Sequence, residues 1–571
     1  MGLGGWEEKV GYVSRSSRPA GSGLRYPKSP ILFGLLGLPG LYTHESVTYP
    51  RRPSGWRYAL GPRRAIQKHS PLAGDPGMQS TGKIFWASFL TLIAAGMGFA
   101  VRSDVLAEWG SLFGFTQTEL GEITGFGLAG MAVTIIIFSL FADRIGYKWI
   151  LVGAFLLHVG SAVLTLAATP VFESSGKDAT YTLLMTAMTM FALANGMCEA
   201  AINPLVATLY PKQKTHYLNI LHAGWPGGLI LGGLLAWCFV GDKSVVTKLR
   251  WEIPMSFFLI PTLWYGFIVL KEKFPHSEAR AAGIKFGEMV AEFAAPVLLF
   301  LLVLHAMVGY VELGTDSWIA NIMSGFIRNG VLLLVYTAGL MFVLRFFAGP
   351  IVERINPLGL LFVSAVLGCA GLYMMGSMLS TGAGVAMILV AATIYGVGKT
   401  FLWPTMLGVV GERFPKGGAL AMGAMGGIGM LSAGMLGGPG IGYTQDVVTA
   451  RRLQELSPAA YNQVASEQEN RFLFFPPVHG LDGAKVAKLP ADSPVYTEVR
   501  DAENYGKAEA LKITALVPAT MAVGYLLLLI YFRAIGGYKL VEIGPGGVER
   551  ETSHEPSAAE AIYQDSRAEQ A

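Results

Sequence analysis

The chain has 571 residues, 52% of them hydrophobic and only 14% charged, with 72 glycines and a formal net charge of +4. A soluble protein carries about 25% charge and about 7% Gly, so charge this scarce cannot coat several water-facing domains, and most of the surface must face lipid. Basic residues are scattered through loops, which leaves no nucleic-acid footprint. Cys198, Cys238 and Cys369 all lie in apolar stretches and build neither a disulfide framework nor a zinc site.

Residues 1–80 are rich in Arg, Pro, Gly and Ser, and their one apolar stretch, Ile31 to Leu41, is too short to span a bilayer. They read as a flexible extension, with Met78, six residues before the first apolar helix, as the expected initiator. From Ile84 onward, apolar segments of the ~20 residues needed to cross about 30 Å recur. They fall near 84–106, 120–142, 147–169, 179–210, 216–240, 253–271, 292–322, 330–352, 357–380, 383–411, 417–444 and 510–534. An even count puts both termini on one side. Thirteen Lys and Arg, from Arg144 to Lys539, fall in the short loops and tail of that side, against five on the other. The positive-inside rule makes the termini cytoplasmic.

The longest loop on that side, 272–291, reads as a linker between a first half (81–271) and a second half (292–540), followed by a polar tail at 541–571. On the other side, Asp446 to Glu509 is long, polar and mixed in charge, with the cluster Phe472-Leu-Phe-Phe-Pro-Pro477. Two readings stay open for it: a tolerated insertion, or a lid over the outer mouth.

The halves repeat. Helix four reads Glu199-Ala-Ala-Ile-Asn203-Pro204 and then Tyr210-Pro-Lys212; helix ten reads Lys399-Thr-Phe-Leu-Trp403-Pro404 and then Phe414-Pro-Lys416. Five residues before each proline stands an ionisable side chain, Glu199 or Lys399. Symmetric positions in two halves should present alike, so both are expected to face a central cavity near one depth, and to interact if one conformation brings them within ~4–6 Å.

The loop after helix two, Ala142-Asp143-Arg144-Ile-Gly146-Tyr-Lys148, resembles the Asp-Arg-x-Gly-x-Arg/Lys gating signature of the major facilitator superfamily, with Ser139 where the signature begins on Gly. Glu199-x-x-x-Asn203-Pro204, Tyr217-Leu-Asn219, Val308-Gly-Tyr-Val-Glu312 and Trp403-Pro-Thr405 are similar to stretches of the fucose–proton symporter family, which carries hexoses and related sugars. The resemblance spans 84–540 without the long outer loop. It implies an all-α membrane protein with twelve transmembrane helices in two pseudo-symmetric six-helix halves, and a monomeric, cofactor-free carrier of the cytoplasmic membrane rather than an enzyme.

Ionisable side chains at membrane depth line cavities or pair. Glu199 is the first candidate to take up and release a coupling proton. Asp104, similar to an acid that the symporter family places on helix one, and Glu312 are the others. Asp104 lies about 30 Å along its helix from Ile84, near the outer surface, where a local pair with Arg102 is the alternative. Lys399 could replace a proton's charge or hold an anionic solute. Its Gly398-Lys399-Thr400 context is not a phosphate loop, because Thr393 stands where Gly is needed. Arg345, near the inner end of helix eight, is expected to snorkel.

Asn195, Asn203, Asn219, His222 and Gln213 offer neutral hydrogen-bonding groups. Trp225, Trp403 and Trp318 offer ring faces, and Asp316 a further acid. Together they point to a small polar solute, most simply a sugar, moved with a proton in preference to sodium by rocking of two halves. An organic-anion carrier using Lys399 and a non-transporting sensor are the alternatives. Gly434-x-x-x-Gly438-Pro439 reads as packing and a bend.

Overall fold

The computed structural model describes residues 76–552, apart from 116, 241–243, 325 and 327–330. Most of the expected extension (1–80), up to residue 75, and the tail beyond Thr552 lie outside the described residues; its last five residues, 76–80, are helical and begin the first crossing. Twelve helical crossings account for almost everything else. In the first half they are α1 (Pro76–Phe113), α2 (Gln117–Ile145), α3 (Tyr147–Leu166), α4 (Ala168–Leu209), α5 (Lys214–Phe239) and α6 (Glu252–Lys271). In the second half they are α7 (Pro296–Met323), α8 (Val331–Arg345), α9 (Ala348–Ser380), α10 (Val385–Arg413), α11 (Pro415–Leu456) and α12 (Pro494–Ala534). Ten are long and apolar enough to cross a membrane; α2, of 29 residues, and the shorter apolar α8 complete the set.

Breaks fall where backbone chemistry demands them. Asn356, at φ 57°, precedes Pro357 inside the α9 run, because the residue before proline is pushed out of helical geometry. Its Oδ1 then accepts from the Gly359 N–H at 2.9 Å and starts the new helix. A second device is less legible. Tyr310–Gly314 in α7 and Ala433–Gly437 in α11 each form a π-turn, a geometry frequent at functional sites. Around these turns the backbones of α7 and α11 come into direct contact: a Cβ on Gly309 would lie 2.7 Å from the Gly429 carbonyl carbon, and one on Gly314 2.8 Å from Gly437 Cα. Small residues are what let membrane helices approach this closely.

One end of the bundle gathers the start of α1, the α2–α3 loop, the ends of α6 and α10, and the chain after α12. Ser80 Oγ donates to Glu272 at 2.9 Å, Lys148 Nζ to the Leu270 and Glu272 carbonyls at 3.0 Å each, and Arg413 to the Lys539 carbonyl at 2.8 Å. We call this the termini side. Residues after α12 add a hairpin, β1 (Leu540–Ile543) against β2 (Glu549–Thr552), held by ion pairs from Arg413 and Lys539 to Glu551 and from Lys416 to Glu549.

On the far side, much of the stretch read as a loop is helical: α11 runs to Leu456 and α12 starts at Pro494. Between them, Leu453, Ala460, Val464, Val499 and Ala502 form a small core of their own. Phe472 and Phe475 stack beside Tyr443, and Phe474 is 87% exposed.

Candidate functional site

Where the two halves meet near mid-length, a narrow cavity is lined by Glu199, His222, Trp225, Glu312, Leu313, Arg345, Trp403 and Met430. At about 20 Å³ it holds about one water, so the site is collapsed in this conformation. Five of the eight lining residues are among those the sequence singles out as site candidates.

A single hydrogen-bonded chain threads these groups across both halves. Asn203 Nδ2 donates to the Glu199 carboxylate at 2.8 Å, one helical turn back, and His222 Nε2 bonds Asn203 Oδ1 at 2.9 Å. The His222 carbonyl accepts from Arg345 at 2.6 Å, which crosses into the second half. Arg345 also donates to the Thr400 carbonyl at 2.8 Å and pairs with Glu312 at 2.9 Å. Pro204 removes a backbone donor inside α4, and a one-residue break at Ala223 interrupts α5, both where the helices line protein rather than lipid.

Beside this chain lies a second ion pair, with a buried cation and a half-buried acid. Lys399 donates to Asp316, which stands four residues after Glu312 and so one turn further along α7. Tyr395, under the Lys399 ammonium, donates to the Val311 carbonyl at 2.9 Å.

Several expectations need correction. Glu199 and Lys399 are both buried, but in this conformation they do not pair with each other. Lys399 is taken by Asp316, and the cation within electrostatic reach of Glu199 is Arg345. Arg345 does not snorkel; it is 1% exposed, because three acceptors meet it inside the protein. Arg102 and Asp104 form no local pair, since residues two apart leave a helix on different faces. Asp104 is exposed, while buried Arg102 donates to Ser161 at 3.2 Å and lies 3.8 Å over the Phe191 ring.

Asn195 is diverted from the cavity to His158, at 2.9 Å, which in turn meets Tyr265 at 2.8 Å. Trp318 donates to the Gly438 carbonyl at 2.8 Å and packs on α11. Asn219 lies on α5 toward the termini side, donating to Thr405 of α10 at 3.1 Å.

The gating-loop residues stand at the termini side. Gly146 takes φ +85°, open to glycine at no steric cost. Lys148 caps the α6 C-terminus, where a cation also suits the helix dipole. Asp143 accepts on its carbonyl from Arg280 at 2.9 Å. Arg144 reaches over the Phe286 ring. Ser139, the departure from the signature, is matched by Gly423 on α11, where any Cβ would overlap the serine side chain.

Sequence reasoning passed over the bonds that shut this side. Glu412 accepts from the Thr215 hydroxyl at 2.6 Å and from Tyr538 at 2.7 Å, and Lys214 donates to the Gly411 carbonyl at 2.9 Å and to Glu278 at 2.7 Å. Thr215 and Lys214 belong to the first half, Glu412 and Gly411 to the second, so the cavity is closed toward the termini. Glu412 sits in a helix end rich in charge and gave no signal of its own. His305 did have one: it is the lone polar group of the run Pro296–Gly309.

Two six-helix halves enclosing a polar, ion-paired cavity are the architecture of a rocking membrane transporter. The family model of the Major Facilitator Superfamily matches residues 84–439, and the chain belongs to that superfamily of integral, multi-pass transporters. It is not an enzyme. Among solved structures, the E. coli fucose:proton symporter FucP is 14% identical with a TM-score of 0.52, covering 76% of this chain and 98% of its own. The proton:xylose symporter XylE is 14% identical with a TM-score of 0.56, covering 85% and 99%. At these identities the likeness shows the fold. A cis,cis-muconate transport protein of Acinetobacter baylyi is 29% identical over 182 residues, which span 31% of this chain and 40% of that relative.

Proposed function

We propose that the protein carries a neutral, hydroxyl-rich solute, a sugar, together with one proton across the cytoplasmic membrane, with both termini cytoplasmic. The observation that supports this most directly is the charge arithmetic of the site. Three carboxylates (Glu199, Glu312 and Asp316) face two cations, Arg345 and Lys399, and each cation already has its own carboxylate. Glu199 is the acid left over, so one added proton brings the ionised site to neutrality. Trp225 and Trp403 supply ring faces for the apolar sides of a sugar, and Asn203 and His222 supply hydrogen-bonding groups.

Proton arrival at Glu199 alters the chain that runs through Asn203 and His222 to Arg345. Rocking must break the Arg345–His222 bond, because it joins the halves. Solute and proton thereby act on one interface, and opening toward the termini further requires release of Thr215 from Glu412.

A second reading has one observation in its favour: the relative named as a muconate transporter points to organic dianions. Against it, a dianion at this site must displace Glu312 or Asp316 from its cation. Proteoliposome uptake under an imposed pH gradient separates the two. A labelled hexose accumulating only when the loading side is acid supports sugar–proton symport; accumulation of dicarboxylates and no hexose overturns it.

A further inference from the structure

His305 of α7 is fully buried, and neither ring nitrogen has a hydrogen-bond partner. It stands seven residues before Glu312 on α7, ahead of the π-turn at Tyr310–Gly314. Its ring looks onto α10 and α11. The imidazole lies 4.6 Å, centroid to centroid, from the Trp403 ring that lines the cavity, and a Cβ on Gly429 would come within 3.0 Å of it. His305 and His222 are also within electrostatic reach of each other.

A buried polar group without a partner is a standing cost, and nearly all such groups in folded proteins are paired. The rest of the run from Pro296 to Gly309 is apolar, and leucine or phenylalanine would fill the place of this ring at no such cost. From this geometry we infer that His305 is a ligand of the transported solute, reached when Trp403 swings off its face. A neutral imidazole presents one donor and one acceptor on opposite edges, which suits hydroxyl groups that can each give and take a hydrogen bond. This inference rests on the transport reading but not on the sugar being its substrate.

The test is initial uptake by the full chain in proteoliposomes, using labelled hexoses, their singly deoxygenated analogues and a set of dicarboxylates. His305→Leu should raise KM at least tenfold with kcat changed much less, and His305→Gln should stay within threefold of the parent. For the analogue lacking the contacted hydroxyl, parent and His305→Leu should have equal KM, a selectivity that a merely structural residue does not produce. A KM within twofold for every solute, or the same loss on every analogue, overturns the inference. If His305→Leu does not fold, His305→Met decides by the same comparison: a raised KM for the hexose with a KM equal to the parent's for the analogue lacking the contacted hydroxyl supports the contact, and the same loss on every analogue refutes it. If the parent takes up only dicarboxylates, the sugar reading falls, and the same variants scored on that acid still decide His305.

Discussion

Arg345→Met removes the guanidinium at which three bonds from both halves meet, and leaves the Glu312 carboxylate, only 4% exposed, without its cation. Stripping one partner from a buried ion pair costs about 3–5 kcal/mol, most of it the stranded charge. The Thr400 and His222 carbonyls lose charged donors as well, so the upper part of that range is expected. Removing both partners strands nothing. Arg345→Met combined with Glu312→Leu should therefore cost less than the sum of the single changes, with a coupling energy of about 2–3 kcal/mol, near the top of what contacting residues show. The assay is a double-mutant cycle on reversible unfolding in mixed micelles. A cost below about 1 kcal/mol for Arg345→Met, or simple additivity in the double variant, would refute the pairing and the central place given to Arg345.

Glu199→Gln should keep solute counterflow while losing uphill accumulation. One proton moving through 100 mV supplies about 2.3 kcal/mol, or about fiftyfold accumulation at ~1.4 kcal/mol per tenfold, and the variant's ratio should fall to about one; retained accumulation moves the coupling role to Asp104 or Glu312. Gly309→Ala, whose new methyl would overlap the Gly429 backbone, should destabilise by about 2 kcal/mol. Gly339→Ala on α8, with open space around it, should gain about 0.5–1 kcal/mol; equal effects in thermal unfolding would remove the argument for backbone contact between α7 and α11. The Glu551 carboxyl is held below its usual range by hydrogen bonds from Lys539 and Arg413. A lowered folded pKa means that its contribution is present above the ordinary carboxylate range and is lost as pH falls through the lowered value. Limited proteolysis should therefore release the hairpin after α12 only in acid, and Glu551→Gln should release it at neutral pH.

Hydropathy and segment length marked most of the twelve crossings, because a 30 Å apolar slab enforces segment length whatever the neighbours are. The repeat in α4 and α10, with its prolines, likewise pointed to Glu199, Lys399, Trp403 and the buried, inward-facing setting they share. Pairing was another matter. That Arg345 takes Glu312 and Lys399 takes Asp316 depends on reach between helices far apart in sequence, and on the π-turn at Tyr310–Gly314, which shifts the phase of α7 just where its two acids lie. Asn195 looks like Asn203 in the sequence, eight residues earlier on α4, yet it is held by His158, and only the packing of α3 and α6 against α4 decides this. Composition and period set which residues must leave the lipid. Which partner each finds inside is set by the crossing of helices, and a one-dimensional pattern carries no term for that geometry.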